Sequence, residues 1–326
     1  MSTDNMTKID IGRIKGLKVK VISETGWFNN KVLLSDIEKA GGMSISQYEI
    51  PWTDTGVKEG YKGNNAGGFS TLIEVELLDG SKKKILLDTG WNPSWMEKRF
   101  QEEGIDKMLT RKEIDFMVCS HEHFDHFWGI EATTKYYPDI PIYVPRGFYQ
   151  EGFDLLQGKA FLKANVKNAY PHTGKITVLD SGKVTQLFPG AALVTFDVPI
   201  ICRVFGEQAF LFNIQDKGIV LITGCCHMGI ISFLQYVKET IAGGEKIYGI
   251  QGGLHISPFE NLEPQYDAFI LSLRDYGIEK IASNHCTGYL AVEKMIQANL
   301  PVIKGTARNG SKWNSYLGNG DELIFA

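Results

Sequence analysis

Apolar and polar positions recur with two different periods along this chain. The first half is dominated by a period of two. Residues 16–24 (Gly-Leu-Lys-Val-Lys-Val-Ile-Ser-Glu) alternate, which predicts a half-buried strand. Phe69 to Leu78 and Lys84 to Leu87 read as two more strands, with Asp79-Gly80-Ser81 as the hairpin turn between them. Before them, Gly56 to Gly68 is rich in Gly and Asn and reads as a loop. Ile114 to Cys119 and Ile140 to Val144 are short apolar runs of strand length. Between them, Phe127 to Tyr137 suits a helix that stops before Pro138. Residues 145–180 carry no clear period and read as a possible insertion on the substrate side. Residues 182–214 predict several strands, among them Val184–Leu187, Ala192–Phe196 and Ala209–Asn213.

The second half alternates strand and helix. Gly218 to Thr223, Lys246 to Gln251 and Lys280 to Ala282 have strand character. Met228 to Ala242, Glu263 to Tyr276 and Tyr289 to Ala298 have helical spacing. Glu322 to Phe325 reads as a closing edge strand. Hairpins followed by strand–helix units predict a layered α/β protein with mixed sheets, and no linker divides it. A single domain over residues 1–326 is expected, with its core over 15–326.

Composition narrows the functional classes. The chain has 326 residues, 43% hydrophobic and 22% charged, which excludes extensive disorder. Its net charge of −4 offers no basic field for nucleic acid or anionic membrane. No apolar run approaches the roughly 18 residues of a membrane span. Met1 to Lys20 is polar and mixed in charge, without the apolar core of a signal peptide. A cytoplasmic protein with reduced thiols is therefore expected. Of the five cysteines, Cys119 reads as a small buried hydrophobe, while Cys225, Cys226 and Cys286 sit beside histidines.

The histidines carry the chemistry. There are seven, and all but His172 fall where a strand hands over to a loop or helix. Ligands gather at such ends in α/β sheets. His172, beside Pro171, reads as a surface loop histidine. His121-Glu122-His123-Phe124-Asp125-His126 packs three imidazoles and a carboxylate into six residues. In an extended loop His121 and His123 project to the same side and can grip one metal. Asp125 and His126 can turn toward a second. Nitrogen and carboxylate donors suit zinc, iron or manganese. Thr223-Gly224-Cys225-Cys226-His227 adds thiol and imidazole, with Gly224 permitting a tight approach. His285 in Asn284-His285-Cys286-Thr287-Gly288 is a further candidate ligand. His255 in Gly252-Gly253-Leu254-His255 is a candidate for ligand, substrate contact or core residue. Asp88, closing the strand before Thr89-Gly90, can accept a hydrogen bond from a ligand histidine and fix its tautomer.

Asp88-Thr89-Gly90, the His121–His126 motif, Thr223-Gly224 before Cys225, and His285 resemble the metallo-β-lactamase-fold superfamily of metal-dependent hydrolases, over roughly residues 15–326. The stretches Gly68-Phe69-Ser70, Gly224 to Gly229, Gly252 to His255 and His285 to Gly288 look nearest to its dihydropterin ribofuranosyl-aminobenzene phosphate synthase-like subgroup. The resemblance implies a four-layer αβ/βα sandwich of two mixed sheets flanked by helices, with a metal pair at one edge. His121 and His123 would hold the first ion; Asp125, His126 and His285 would hold the second. Cys225 falls where many relatives place a bridging aspartate. Relatives usually carry another histidine before the Thr-Gly turn. Residues 182–222 contain none, and His227 is the candidate replacement. Phe127-Trp128-Gly129 replaces a small, glycine-rich stretch, so Trp91, Trp95 and Trp128 are candidates for either an aromatic wall or core packing.

The function expected is hydrolysis of a small ester or phosphoester by a metal-bound hydroxide. Two divalent ions, zinc foremost, would lower the pKa of water to roughly 7. Asp125 would orient the nucleophile, and His255 would stabilise the oxyanion or protonate the leaving group. The other classes are a di-iron redox enzyme and a non-catalytic metal-binding or sensing protein. Redox relatives usually have glutamate where His123 stands and a flavin domain following. A small-molecule substrate is expected, with no nucleic acid and no membrane partner.

Overall fold

The computed structural model describes residues 7–24, 30–53, 67–259 and 261–326. The predicted Gly56–Gly68 loop lies outside these residues, except for Gly67 and Gly68. Strand β1 (Gly16–Ser23) is followed by helix α1 (Asn30–Ala40). The hairpin β2 (Ser70–Glu76) and β3 (Lys82–Leu87) leads into helices α2 (Pro93–Glu103) and α3 (Ile105–Thr110). Strand β4 (Phe116–Val118), short helices α4 (Phe124–Phe127) and α5 (Glu131–Thr134), β5 (Ile142–Pro145), α6 (Gln150–Leu156) and β6 (Ile176–Leu179) follow. The second sheet begins with β7 (Val184–Phe188), β8 (Ala191–Ile200), β9 (Val204–Ile214) and β10 (Gly218–Thr223). Then come α7 (Ile230–Thr240), β11 (Ile247–Gly253), α8 (Gln265–Ser272), β12 (Lys280–Asn284), α9 (Tyr289–Gln297) and β13 (Glu322–Phe325).

The strands form two sheets, ordered β13-β1-β2-β3-β4-β5-β6 and β12-β11-β10-β9-β8-β7. Both are mixed. β1 to β3 pair antiparallel, while β3 to β6 run parallel. β7 to β10 pair antiparallel, and β10 to β12 run parallel. The final strand β13 closes the first sheet against β1, as its edge-like sequence predicts.

Alternation within each strand makes the layers. On β10, Val220 and Ile222 face the other sheet, and Ile219 and Leu221 face the helices. On β9, Phe210 and Phe212 face inward while Ala209 and Leu211 face outward. β2 and β3 mirror this, with Ile73, Val75, Ile85 and Leu87 inside and Leu72 and Leu86 outside. Successive strand residues point to opposite faces, so each strand serves two cores. The order is helix, sheet, sheet, helix: the four-layer αβ/βα sandwich.

Two local readings are corrected. The helix expected over 127–137 is instead broken into α4, a single tight turn at Trp128–Ile130, and α5. Its i→i−4 ladder is interrupted because the Gly129 N–H goes to Gly90 O at 3.0 Å. A Cβ at Gly129 would lie 2.1 Å from Thr89 O, so only glycine permits that approach. His172 is not a surface histidine. It is buried, and its Nε2 lies 2.6 Å from Ile140 O, which it ties to the segment after α6.

Candidate metal centre

The candidate ligands stand at the carboxyl ends of parallel strands from both sheets. Asp88 follows β3, the histidine motif follows β4, and Cys225 and His227 follow β10. His255 follows β11, and His285 follows β12. The open ends of the two sheets therefore converge on one place. The donors fall into clusters whose atoms lie within 4.8 Å of one another: His121, His123 and His227; Asp125, His126 and His285; His121, His126 and Cys225; Cys225, His255 and Cys286.

The backbone that presents them is tightly built. Asp88, at φ 58, accepts the Ser120 N–H and Ser120 Oγ–H, both at 2.6 Å. The Ser70 hydroxyl donates to Asp88 O at 2.8 Å, which explains the Gly68-Phe69-Ser70 stretch. Gln47 straddles the motif, donating to Glu122 O at 2.6 Å and accepting from Phe124 N at 2.8 Å. Gly224 passes so close that a Cβ there would lie 2.1 Å from Ser120 Oγ. Cys226, His255 and His285 all have positive φ, conformations that cost non-glycine residues energy and that cluster at functional sites.

Ring tautomers follow from the partners. Ser120 Oγ gives its proton to Asp88, so it accepts from His121 Nδ1 at 2.9 Å, and His121 Nε2 keeps a lone pair. His123 Nε2 donates to Ile201 O at 3.0 Å, leaving a lone pair on Nδ1. Those two lone pairs face each other at 3.0 Å. His126 Nδ1 donates to Asp88 Oδ2 at 2.7 Å, so its Nε2 faces His285 Nε2 at 3.1 Å and Cys225 Sγ at 3.1 Å with a lone pair. His227 Nδ1 donates to Glu207 Oε1 at 3.2 Å, and its Nε2 is buried with no hydrogen-bond partner. Lone pairs aimed at one another repel unless a cation lies between them. Tetrahedral zinc with Zn–N near 2.0 Å would hold nitrogens about 3.3 Å apart, close to what is seen. The donor set therefore fits divalent transition metals.

Electrostatics agree. Burial, reinforced by neighbouring imidazoles, pushes His121 and His227 well below the ordinary histidine value and His123 down to about 3. These rings stay neutral, as ligands must. Burial opposes ionisation of Asp125, but His126 and His285 hold its carboxyl far down. Burial also opposes protonation of His285, yet Asp125, 3.3 Å away, and Cys286 raise it to about 9. With Nδ1 committed to Glu24 O at 2.9 Å, the extra proton sits on Nε2, where a metal ion would replace it.

Asp88 accepts the His126 Nδ1–H from behind the ring. Glu207 is a residue that sequence reasoning missed. Buried on β9, it accepts the N–H groups of Cys225, Cys226 and His227, at 3.3 Å, 2.8 Å and 2.5 Å. The only signal was a carboxylate inside an otherwise apolar stretch. Cys286 was noted for its neighbour but not assigned; it lies with Cys225 and His255. Trp91, Trp95 and Trp128 form no wall of the site. They pack in the core, Trp91 and Trp128 behind Phe124 at ring distances of 4.9 Å and 5.8 Å. Phe124 itself lines the pocket over the cluster, with Leu33, Ile37, Ile201, Pro258 and Phe259.

Two mixed sheets between helices, with candidate donors at their joined strand ends, are the layout of the metallo-β-lactamase fold. Residues 64–213 match the metallo-beta-lactamase superfamily model. It is 29% identical over 271 residues to 7,8-dihydropterin-6-methyl-4-(beta-D-ribofuranosyl)-aminobenzene-5'-phosphate synthase of Methanocaldococcus jannaschii, covering 72% of this chain and 86% of that one. Its fold is similar to that of Tm1679, a metal-dependent hydrolase of the beta-lactamase superfamily, with a TM-score of 0.55 and 19% identity, covering 94% and 98% of the two chains. Zinc-bound PqqB from Methylobacterium extorquens matches at a TM-score of 0.50 and 12% identity, covering 95% and 99%. Among the described residues, no helix is long and apolar enough to cross a membrane.

Proposed function

We propose that the protein is a metal-dependent hydrolase that cleaves a small ester or phosphoester at a pair of divalent ions, zinc foremost. The observation that carries this reading is the pair of lone pairs on His121 Nε2 and His123 Nδ1, facing each other at 3.0 Å beside the unpartnered His227 Nε2. His121, His123 and His227 would hold one ion, and Asp125, His126 and His285 the other, with Cys225 at their junction. With Cys225 shared between them, the ions could admit substrate or water by expanding to five-coordination, as catalytic zinc can. Bound there, the ions would polarise a substrate oxygen and lower the pKa of water to roughly 7.

The chain's own residues do the rest. Asp88 fixes the His126 tautomer, and Glu207 fixes that of His227. Asp125, one-sixth exposed, presents its carboxylate at the pocket floor, where it can hold and orient an attacking water. His255 lines the same pocket and can donate a proton to the leaving group. Burial favours its neutral ring, but Cys286 and Glu207 raise it above the ordinary histidine value, so a proton is available near neutral pH. Leu33, Ile37, Phe124 and Phe259 line the pocket and favour a substrate with a flat or apolar body.

The name of the 29% identical relative supports a second reading, a synthase joining pterin and ribofuranosyl-aminobenzene phosphate units at the same cluster. One experiment addresses both. Metal-loaded protein is offered chromogenic carboxylate and phosphate esters, and separately a dihydropterin with an aminobenzene ribosyl phosphate. Ester turnover that vanishes on chelation and in His121→Ala and Asp125→Ala supports the hydrolase. Purified protein without transition metal, or full activity in those variants, sinks it.

A further inference from the structure

Cys225, His255 and Cys286 terminate three adjacent strands, β10, β11 and β12, and their donor atoms lie within 4.8 Å of one another. Both cysteines are buried and free of disulfides. Gly253 makes the meeting possible: a Cβ there would lie 2.5 Å from Cys286 Sγ and 3.2 Å from Cys225 Cα. His255 Nδ1 is buried with no hydrogen-bond partner, and its backbone is held at φ 46. The strained backbone, the missing side chain at 253 and the unpartnered nitrogen all serve one juxtaposition, two thiols and an imidazole. The proposed hydrolytic pair makes no use of Cys286.

We propose that Cys225, His255 and Cys286 form a separate thiolate-rich site for a third, thiophilic divalent ion of the zinc class, sharing the Cys225 sulfur with the neighbouring histidine clusters. Zn–S near 2.3 Å and Zn–N near 2.0 Å require donor separations of roughly 3.3–3.8 Å, so side-chain rotations of about 1 Å complete the site. Binding releases to solvent the Cys225 thiol proton and the proton shared by Cys286 and His255, leaving two thiolates and a neutral imidazole as ligands. The three residues also line the pocket, which leaves the fourth position open toward a substrate. An imidazole ligates through one nitrogen and keeps the other, so His255 can ligate and still hydrogen-bond a substrate. This site depends on its own three donors and not on ester hydrolysis.

The test uses the full chain, purified under reductant, stripped with chelator and reloaded with Co²⁺ alone. Bound cobalt per chain is measured by mass spectrometry and thiolate ligation by sulfur-to-cobalt charge-transfer absorption. Wild type is expected to bind three ions. Cys286→Ser and His255→Ala should each lose one ion, with weaker charge-transfer absorption in Cys286→Ser. His123→Ala should lose an ion while keeping that absorption. Cys226→Ser, whose thiol packs against α7, should match wild type. Cys286→Ala repeats the measurement should the serine variant fail to fold. Unchanged stoichiometry and absorption in both Cys286 variants overturns the thiolate site. Full cobalt binding by His123→Ala alongside a loss in Cys286→Ser sinks the histidine pair and spares this site.

Discussion

Asp88 and Glu207 show how much of the centre depends on single side chains that need touch no metal. Each is a buried carboxylate whose oxygens are occupied by N–H and O–H donors around a histidine. Asp88→Asn removes the acceptor that fixes the His126 tautomer. Its expected effect is a loss of metal affinity of about 10- to 100-fold, read by competition with a fluorescent chelator. Glu207→Ala strands three backbone N–H groups in the interior. It should cost on the order of 3 kcal/mol of unfolding free energy, seen in denaturant titration of the metal-free protein. A variant as stable as wild type would show that water replaces the carboxylate. Asp88 was legible in the sequence because it ends an apolar strand beside Thr89-Gly90. Glu207 was not, because its partners lie 18 to 20 residues away on another segment and a loop brings them back.

At the scale of elements, period predicts well where packing and period agree. Strands β8 to β12 and helices α7 and α9 fall where alternation and 3.6-residue spacing place them, because each presents one apolar side to a core. Leu221, on the outward face of β10, is fully buried against that core. Leu221→Ala should cost about 2–5 kcal/mol by cavity formation, measured by denaturant unfolding. The helix expected over 127–137 was misread because its apolar residues serve a different purpose. The Gly129 N–H is taken by Gly90, and the chain bends to hold the histidine motif over β3. Helices α1, α2, α3 and α6 were missed too: α2, for example, buries Trp95, Met96, Arg99 and Phe100 among charged neighbours that obscure its stripe. His172→Ala tests the corrected reading of that residue. Losing its bond to Ile140 O should cost about 1 kcal/mol and leave metal binding unchanged.

Across the whole molecule, the buried imidazoles of the site tie folding to pH. In metal-free protein, His123 has a folded value of about 3 against 6.5 unfolded, so the folded state binds fewer protons between them. Its contribution is therefore lost as pH falls from 6.5 toward 3. His285 has the opposite sign. Its folded value is about 9, so its contribution is complete below 6.5 and is lost as pH rises toward 9. Metal-free protein should thus be most stable near pH 6.5, and thermal melts between pH 4 and 9 would show the maximum. A curve that climbs steadily to pH 9 would contradict the His285 assignment. Added zinc should raise the melting temperature most at pH 8–9, where an ion replaces the His285 proton and neutral imidazoles are plentiful.

What the sequence by itself determined was the chemistry and the layers. Histidines at strand ends pointed to a candidate metal site, and strand periods to a layered α/β protein with mixed sheets, because both signals are local and survive without knowing any distant contact. Tertiary structure alone decided which candidate donors come together. Cys225 meets His126 and Cys286, and His227 meets His121 and His123, across separations of up to 106 residues. Those partnerships arise only when two sheets pack face to face and bring the ends of β4, β10, β11 and β12 to one edge.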